Sequence, residues 1–381
     1  MSHRPSAKLS RSTRRPAGPV RYAVIGLGHI AQVAVLPGFA QAKNSVLAAL
    51  VSGDQTKLEK LQREHDVAAI YDYDHLDDCF ASPDLDAVFI ALPNDMHFDC
   101  CLRAVAAGKH VLCEKPLALS VRDAEEMLEA ARSNGVKLMT AYRLHFEPAN
   151  LSAIELVRSG KIGEPRYFSS TFSYQLTDPN NIRTKWERGG GPVFDIGTYC
   201  INAARYLFGD EPEEVTAMLA NSGDPRFREV EESACAILRF PRGRLATFTV
   251  SFGSAEAARY ELVGTKGSIV LDPAFEYSEG LRQTVKIGER ESEKVFPKTD
   301  QFAGEIEAFS ECILNDTEPE ASAREAIGDL RVIEAIFESA ETGRTISLEP
   351  FTKKTRPGKE QVKRKPGIDE PKTVRVRSPH D

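Results

Sequence analysis

The stretch that most restricts this chain lies near its beginning. A short apolar run, Tyr22–Ile25, leads into Gly26-Leu27-Gly28, and helical character continues to about Ala42. A strand that turns through Gly-x-Gly-x-x-Ala into a helix is the phosphate-facing corner of a dinucleotide-binding βαβ unit. The first glycine permits the tight turn, and the second lets backbone approach a pyrophosphate. Ala31 lets the helix pack closely on the strand, and the helix N-terminus faces the phosphates. His29 and Ile30 sit inside this turn, so they join Gly26 and Gly28 as expected cofactor-binding residues.

One glycine turn is a weak signal, and its weight comes from the elements downstream of it. Val46–Val51, Ala87–Leu92, His110–Cys113 and Lys137–Tyr142 read as further strands, with helices over Lys57–Glu64, Phe98–Ala107 and from Ser120 between them. Ser120 with Asp123 resembles a capping box, and Gly135 supplies the stop. Strands alternating with helices at this spacing predict a doubly wound parallel sheet, a Rossmann domain over 20–143.

After Arg143 the rhythm changes. A helix, Pro148–Ser159, precedes strand-like runs over Arg166–Tyr174, Glu214–Leu219, Ser233–Phe240, Arg244–Phe252, Ala258–Gly264, Ser268–Asp272 and Gln283–Ile287. A helix over Asp195–Phe208 interrupts them, and a last helix opens with a second capping box, Ser322 to Glu325. Several runs are separated only by turn residues such as Pro241-Arg242-Gly243, which favours an antiparallel or mixed sheet. The expected class is α/β, a Rossmann domain plus an α+β domain over 144–350.

The net charge is −7, with +5 in residues 1–19 and +6 in 351–381, so the body carries −18. An acidic body argues against nucleic acid as the main partner, because phosphate binding needs a basic face. The two ends read as a flexible basic arm and a solvated basic tail. No stretch approaches ~18 uncharged apolar residues, which argues against a membrane span. Seven cysteines without a CxxC pair or a Cys/His cluster read as reduced thiols of a cytoplasmic protein, with no zinc site. Arg14-Arg15 does not lead into the apolar stretch of an export signal.

The end of the second strand bears on the nucleotide. An NAD enzyme usually places an acid there for the ribose hydroxyls. Here Ser52 and Gly53 stand at that end with Lys57 on the next helix, a set able to hold a 2′-phosphate, while Asp54 keeps NAD open. NADP is the expected cofactor. The chemistry is expected in two segments. Cys113-Glu114-Lys115-Pro116 comes directly after the fourth strand of this reading, at the sheet edge where ligands bind. Gly189-Gly190-Gly191 runs into Asp195 and Tyr199, which share a helix face at a spacing of four, and the glycines let backbone pack close to a ligand.

These pieces, with Leu92-Pro93-Asn94-x-x-His97, Ala107-Gly108-Lys109-His110 and Tyr142-Arg143, resemble the glucose–fructose oxidoreductase, inositol dehydrogenase and rhizopine-catabolism (Gfo/Idh/MocA) family over roughly residues 20–350. The resemblance implies a nicotinamide-binding domain and a substrate domain with a large open sheet, often used to form homodimers or homotetramers. It places Leu92, Pro93, Asn94, His97, Glu114, Lys115 and Arg143 around the cofactor. It makes Lys115, Asp195 and Tyr199 the catalytic set. The family most often has His four after the Asp, and Tyr199 is similar to the glucose–fructose oxidoreductase and dihydrodiol dehydrogenase branch.

Hydride transfer from a sugar carbinol needs a base for the hydroxyl proton. Tyrosine titrates near ~10, so a cation beside Tyr199 is needed, and Lys115 is the candidate. Asp195 would orient a sugar hydroxyl or Lys115. His145 and Trp186 are weaker candidates for sugar contact, and Arg183 and Lys185 have no assigned role. The reading is an NADP-dependent oxidoreductase acting on a carbohydrate, C1 of an aldose first. A keto-sugar, anhydro-sugar or dihydrodiol substrate is the alternative. A non-catalytic nicotinamide sensor and a hydrolase with bound NAD are the rivals. The resemblance also implies that residues 1–19, with Arg14 and Arg15, could fold over the nucleotide, against the plainer reading of a leader.

Overall fold

The computed structural model describes residues 16, 18–376 and 378; Arg14, Arg15 and nearly all of the expected N-terminal arm lie outside them. The first sheet contains β1 (Val20–Ile25), β2 (Ser45–Val51), β3 (Ala69–Tyr71), β4 (Ala87–Ile90), β5 (His110–Glu114) and β6 (Leu138–Ala141). Its order is β3-β2-β1-β4-β5-β6, and every pair is parallel. Such a sheet must be covered on both faces, and Val88, Phe89 and Ile90 of β4 are accordingly fully buried. The strand order reverses between β1 and β4, which opens a crevice at their C-terminal ends.

Local signals worked where they were strong. Ser120 accepts the Asp123 N–H at 3.1 Å, and Gly135 ends that helix with φ +66°. The edge strand β3 is only three residues long and has no fully buried residue, although the run Val67–Tyr71 that contains it is apolar. It and the short helix Leu76–Ala81 were not expected.

The second sheet comprises β7 (Pro165–Gln175), β8 (Glu214–Ala220), β9 (Ser233–Phe240), β10 (Arg244–Ser251), β11 (Gly253–Gly264), β12 (Gly267–Leu271), β13 (Leu281–Ile287), β14 (Arg290–Phe296) and β15 (Ile346–Ser347). Their order is β14-β13-β12-β11-β7-β10-β9-β8-β15. β7 and β10 are parallel, and the other neighbours run antiparallel. Along β9, Ala234, Ala236, Leu238 and Phe240 are buried while Cys235, Ile237 and Arg239 face out. The inner face packs against helices Thr198–Phe208 and Ala323–Thr342. The outer face exposes Tyr167, Met218, Ile237 and Leu245.

Three expectations need correction. Helix Gln301–Asn315, capped by Asp300, was not expected; it packs on helix Leu36–Gln41 beside the first sheet. Ser322 makes no side-chain cap: the Glu325 N–H goes to the Ser322 backbone oxygen at 2.8 Å, and the Glu325 side chain turns inward to Arg205 at 2.8 Å and Lys353 at 2.7 Å. The basic tail is not loose in solvent over its described part. Lys353 and Val374 are buried, Arg356 pairs with Glu211 and Lys363 with Glu311, and Lys365 pairs with Glu307. No described helix is long and apolar enough to cross a membrane. The seven cysteines are unpaired, and five are buried.

Candidate active site

The crevice between β1 and β4 opens into a cavity of about 370 Å³, within the size range of small-molecule sites. The glycine turn forms one wall. Gly26 has φ +92°, and a Cβ there would lie 2.4 Å from the Ala91 carbonyl oxygen. No substitute therefore fits where β1 turns against the end of β4. A Cβ on Gly28 would meet nothing within 4 Å, so open space lies over that backbone, as an approaching pyrophosphate requires. From there a helix runs over residues 29–41, wound as a π-helix over Ala31–Val35.

The expected cofactor residues Gly26, Gly28, His29, Ile30, Ser52 and Lys57 line the cavity, as do Leu92, Pro93, Asn94, Glu114, Lys115 and Arg143. Among the described residues the fit to a dinucleotide is good: an open glycine cradle at one end and a hydroxyl with a lysine at the other. Two of the expected residues lie outside the lining. Gly53 lies beside the Tyr73 ring rather than in the lining. His97 is fully buried, and its two ring nitrogens meet the backbone oxygens of Pro116 and Leu92, each at 2.9 Å. It braces the segments that carry Lys115 and Asn94 and does not touch the cavity. Burial depresses its pKa, which favours the neutral ring.

Lys115 emerges from the end of β5, and Asp195 and Tyr199 come from the helix behind the glycine run. Lys115 Nζ donates to the Asp195 backbone oxygen at 2.7 Å and to Oδ1 at 3.0 Å. Asp195 Oδ2 accepts from Arg183 Nε at 2.7 Å and from the Tyr174 hydroxyl at 3.1 Å. Burial alone would raise the Asp195 pKa; Arg183 and Lys115 outweigh it and hold the carboxyl well below its usual range. Burial would likewise lower Lys115, but Asp195 overrides it and the ammonium is favoured.

Lys115 is not the group on the Tyr199 hydroxyl. Its Nζ lies 4.8 Å from the centre of the ring, whereas Arg143 Nε donates to the hydroxyl oxygen at 3.2 Å. Arg143 is itself fixed by Gln301 and the Phe275 carbonyl, both at 2.5 Å. With Arg143 filling an acceptor position of that oxygen, the hydroxyl proton is left to a bound oxygen atom. Two cations flank the ring, the Arg143 guanidinium carbon lying 4.9 Å from its centre against 4.8 Å for Lys115 Nζ. The sequence pointed to Arg143 only as a cofactor residue, and its position at the end of β6 alone could not tell which group it meets.

Other candidates fall outside the cavity. His145 is fully buried between Glu320 and Asn202, and Tyr142 donates to Asp329. Trp186 is half exposed and packs on Phe194 and Phe337. Lys185 pairs with Glu229 at the surface. Gly189 and Gly190, by contrast, line the cavity, and the side of each glycine in this run where a side chain would stand is filled by protein. A Cβ on Gly189 would lie 2.3 Å from Leu119, and one on Gly191 2.5 Å from the Glu231 carboxylate. Arg183 was the residue undervalued: it lies twelve before Asp195, on a loop with no pattern to mark it.

Comparison with known proteins divides along the two sheets. A family model described as an oxidoreductase family with an NAD-binding Rossmann fold matches residues 20–142, and the GFO/IDH/MocA C-terminal domain matches 151–270. The oxidoreductase ORF334 of Rhizobium meliloti is 33% identical over 85% of this chain and 98% of its own length. D-xylose 1-dehydrogenase [NADP(+)] of Haloarcula marismortui is 31% identical over 87% of this chain and 94% of its own. Among solved structures, aldose-aldose oxidoreductase from Caulobacter crescentus, complexed with glycerol, superposes with a TM-score of 0.83 at 38% identity. The match covers 87% of this chain and 100% of that one. The 3-ketoreductase KijD10 from Actinomadura kijaniata, with NADP and TDP-benzene, gives 0.78 at 27% identity over 84% and 98%.

Proposed function

The chain belongs to the GFO/IDH/MocA oxidoreductase family, and from that premise we propose that it is an NADP-dependent sugar oxidoreductase, acting first at C1 of an aldose, in which Tyr199 moves the proton. The observation that carries the reading is the convergence of Lys115, Arg143, Asp195 and Tyr199 on the cavity that also holds the glycine turn. Two further findings support it. Relatives of similar length are named for aldose oxidation and keto-sugar reduction. Two solved variants of the KijD10 ketoreductase replace one tyrosine and one lysine 84 residues apart, the spacing between Lys115 and Tyr199.

NADP bound over Gly26 and Gly28, with Ser52 and Lys57 at its 2′-phosphate, would accept or return hydride. The chain's own part is proton transfer and alignment. Lys115 presents ammonium protons to the sugar oxygen and fixes the hydroxyl that loses its proton. Tyr199 takes that proton in oxidation and returns it in reduction, while Arg143 stabilises the charge left on its oxygen. A positioned proton-transfer group supplies typically 10²–10⁴-fold. Asp195 holds Lys115 at the correct reach, and Arg183 and Tyr174 hold Asp195. The apolar outer face of the second sheet, with Met218, Ile237 and Leu245 exposed, suits a homo-oligomer contact through that sheet.

The test is paired. Tyr199→Phe and Lys115→Ala should each reduce turnover with aldoses by about 10²-fold or more, while NADPH binding, monitored by nicotinamide fluorescence, persists. Near-wild-type turnover in both variants would overturn the assignment. The cofactor retained after mild purification, weighed by mass spectrometry, should be NADP. A sensor would show binding without turnover, and a hydrolase would turn over without net change at the nicotinamide absorbance band.

A further inference from the structure

The C-terminal segment returns to the nucleotide end of the cavity. Beyond the last strand it crosses helix Ala323–Thr342, where Arg324 donates to the Thr352 carbonyl at 2.7 Å. It then tracks helix Gln301–Asn315 through the Lys363–Glu311 and Lys365–Glu307 pairs. Next it lies over the first helix of the Rossmann domain. Gln41 donates to the Pro366 carbonyl at 2.9 Å. The Gln32 side-chain amide brackets Val374, accepting its N–H at 2.7 Å and donating to its carbonyl at 3.1 Å. Gln32 and Val374 are both buried, so this contact is a built one.

One residue later Arg375 turns with φ +53° and places its guanidinium 3.2 Å from Asp54. Asp54 caps helix Gln55–Glu64 through the Lys57 N–H, and its own N–H lies 3.3 Å from the Ser52 hydroxyl. Arg375 therefore joins the group that stands where a 2′-phosphate would sit. Asp54 is the awkward member: an unpaired carboxylate there would repel a phosphate and welcome ribose hydroxyls.

We propose that the C-terminal strap, through Arg375, is a nucleotide-specificity element: it neutralises Asp54, adds positive charge beside Ser52 and Lys57, and slows the release of a 2′-phosphorylated dinucleotide. The proposal rests on the NADP reading above, so its test separates the two.

Equilibrium binding of 2′,5′-ADP and 5′-AMP, and of NADPH and NADH, is measured by calorimetry and nicotinamide fluorescence on the full chain. The variants are Arg375→Ala, Arg375→Lys, Asp54→Ala and a chain ending at Gly367. Arg375→Ala should weaken 2′,5′-ADP and NADPH by about fivefold, as expected for one exposed charge, and leave 5′-AMP and NADH unchanged or slightly tighter, since Asp54 is then free for ribose hydroxyls. The loss should shrink as salt rises. Arg375→Lys should restore most of the affinity, and Asp54→Ala in the Arg375→Ala background should recover part of it. Ending the chain at Gly367 should raise the NADPH off-rate at least as much as Arg375→Ala does. A wild type that prefers NADH would overturn the NADP reading and this proposal with it. A wild type that prefers NADPH, with the ratio unmoved in Arg375→Ala and the shortened chain, would overturn the strap alone.

Discussion

Asp195→Asn tests whether the carboxylate is the keystone of the site. Asp195 offers one oxygen to Lys115 at 3.0 Å and the other to Arg183 at 2.7 Å, and all three side chains are largely removed from water. Unit charges ~3 Å apart attract by roughly 5 kcal/mol at an effective dielectric near 20. Desolvation takes most of that back, so the measurable quantity is the penalty for removing one partner, roughly 3–5 kcal/mol. An Asn amide has one acceptor oxygen; whichever way it is turned, its NH₂ faces Lys115 or Arg183, both obligate donors. Urea denaturation at neutral pH should therefore show a loss of that order. Turnover should fall by roughly 10²-fold through misplacement of Lys115, while NADPH fluorescence still reports binding. A double-mutant cycle with Lys115→Met should give a coupling of at least ~1 kcal/mol. The pH dependence has a definite sign. The folded carboxyl titrates below its ordinary value, so its contribution is present above the ordinary carboxyl range and disappears as pH falls through the folded value. The variant should lack that acid-side loss. A wild-type midpoint together with wild-type turnover in Asp195→Asn would refute the reasoning.

Arg143→Met should cut turnover by at least ~10-fold, because the Tyr199 hydroxyl loses the donor that orients it; Arg143→Lys should recover part of it, and wild-type turnover in Arg143→Met would argue against the contact. Glu305 is fully buried, and neither carboxyl oxygen has a hydrogen-bond partner among the described residues. Burial, reinforced by Glu114, pushes its pKa well up, and burial pushes Glu114 up to about 7. The folded state thus keeps protons that the unfolded chain releases, and stability should decline as pH rises from the ordinary carboxyl range toward about 7. Glu305→Gln should match wild type near pH 5 and exceed it near pH 8 by roughly 1–3 kcal/mol; equal urea midpoints at pH 8 would contradict this.

The parts of the molecule legible in the sequence were those fixed by local rules. Gly26 and Gly28 announced the nucleotide turn: backbone conformation and close approach leave no alternative residue at Gly26, and Gly28 keeps the space over its backbone open. Lys115, Asp195 and Tyr199 were legible from motif and spacing, and they meet in the cavity. Partners set by tertiary contact were not legible. Arg183 and Arg143 are single arginines whose targets lie 12 and 56 residues away. His97 and His145 looked chemical, but both are buried where backbone oxygens or a carboxylate satisfy them. Helix Gln301–Asn315 was hidden for a related reason. Nine of its residues are buried, so it lacks the clean polar face that marks a surface helix. The tail misled through composition: its lysines and arginines read as solvated, yet an acidic body supplies carboxylates at matching positions.

The same distribution explains why the chemistry needs both domains docked. Lys115 leaves the first sheet at β5, whereas Asp195 and Tyr199 ride on a helix after β7, so neither domain alone contains the proposed proton-transfer set. What fixes their separation is buried. Asn202, on the Tyr199 helix, donates to Glu325 at 2.9 Å and Asp329 at 3.0 Å. Asp329 also accepts from Tyr142, one residue before Arg143, at 2.5 Å. Arg205, fully buried, draws Glu325, Asp329 and Glu211 into one cluster. This cluster links the end of β6 to the helix bearing Tyr199 behind the cavity. The strap runs from this cluster, at Lys353 and Arg356, to Arg375 beside Asp54. One continuous segment therefore touches both the frame that sets the Arg143–Tyr199 contact and the cap of the helix that carries Lys57.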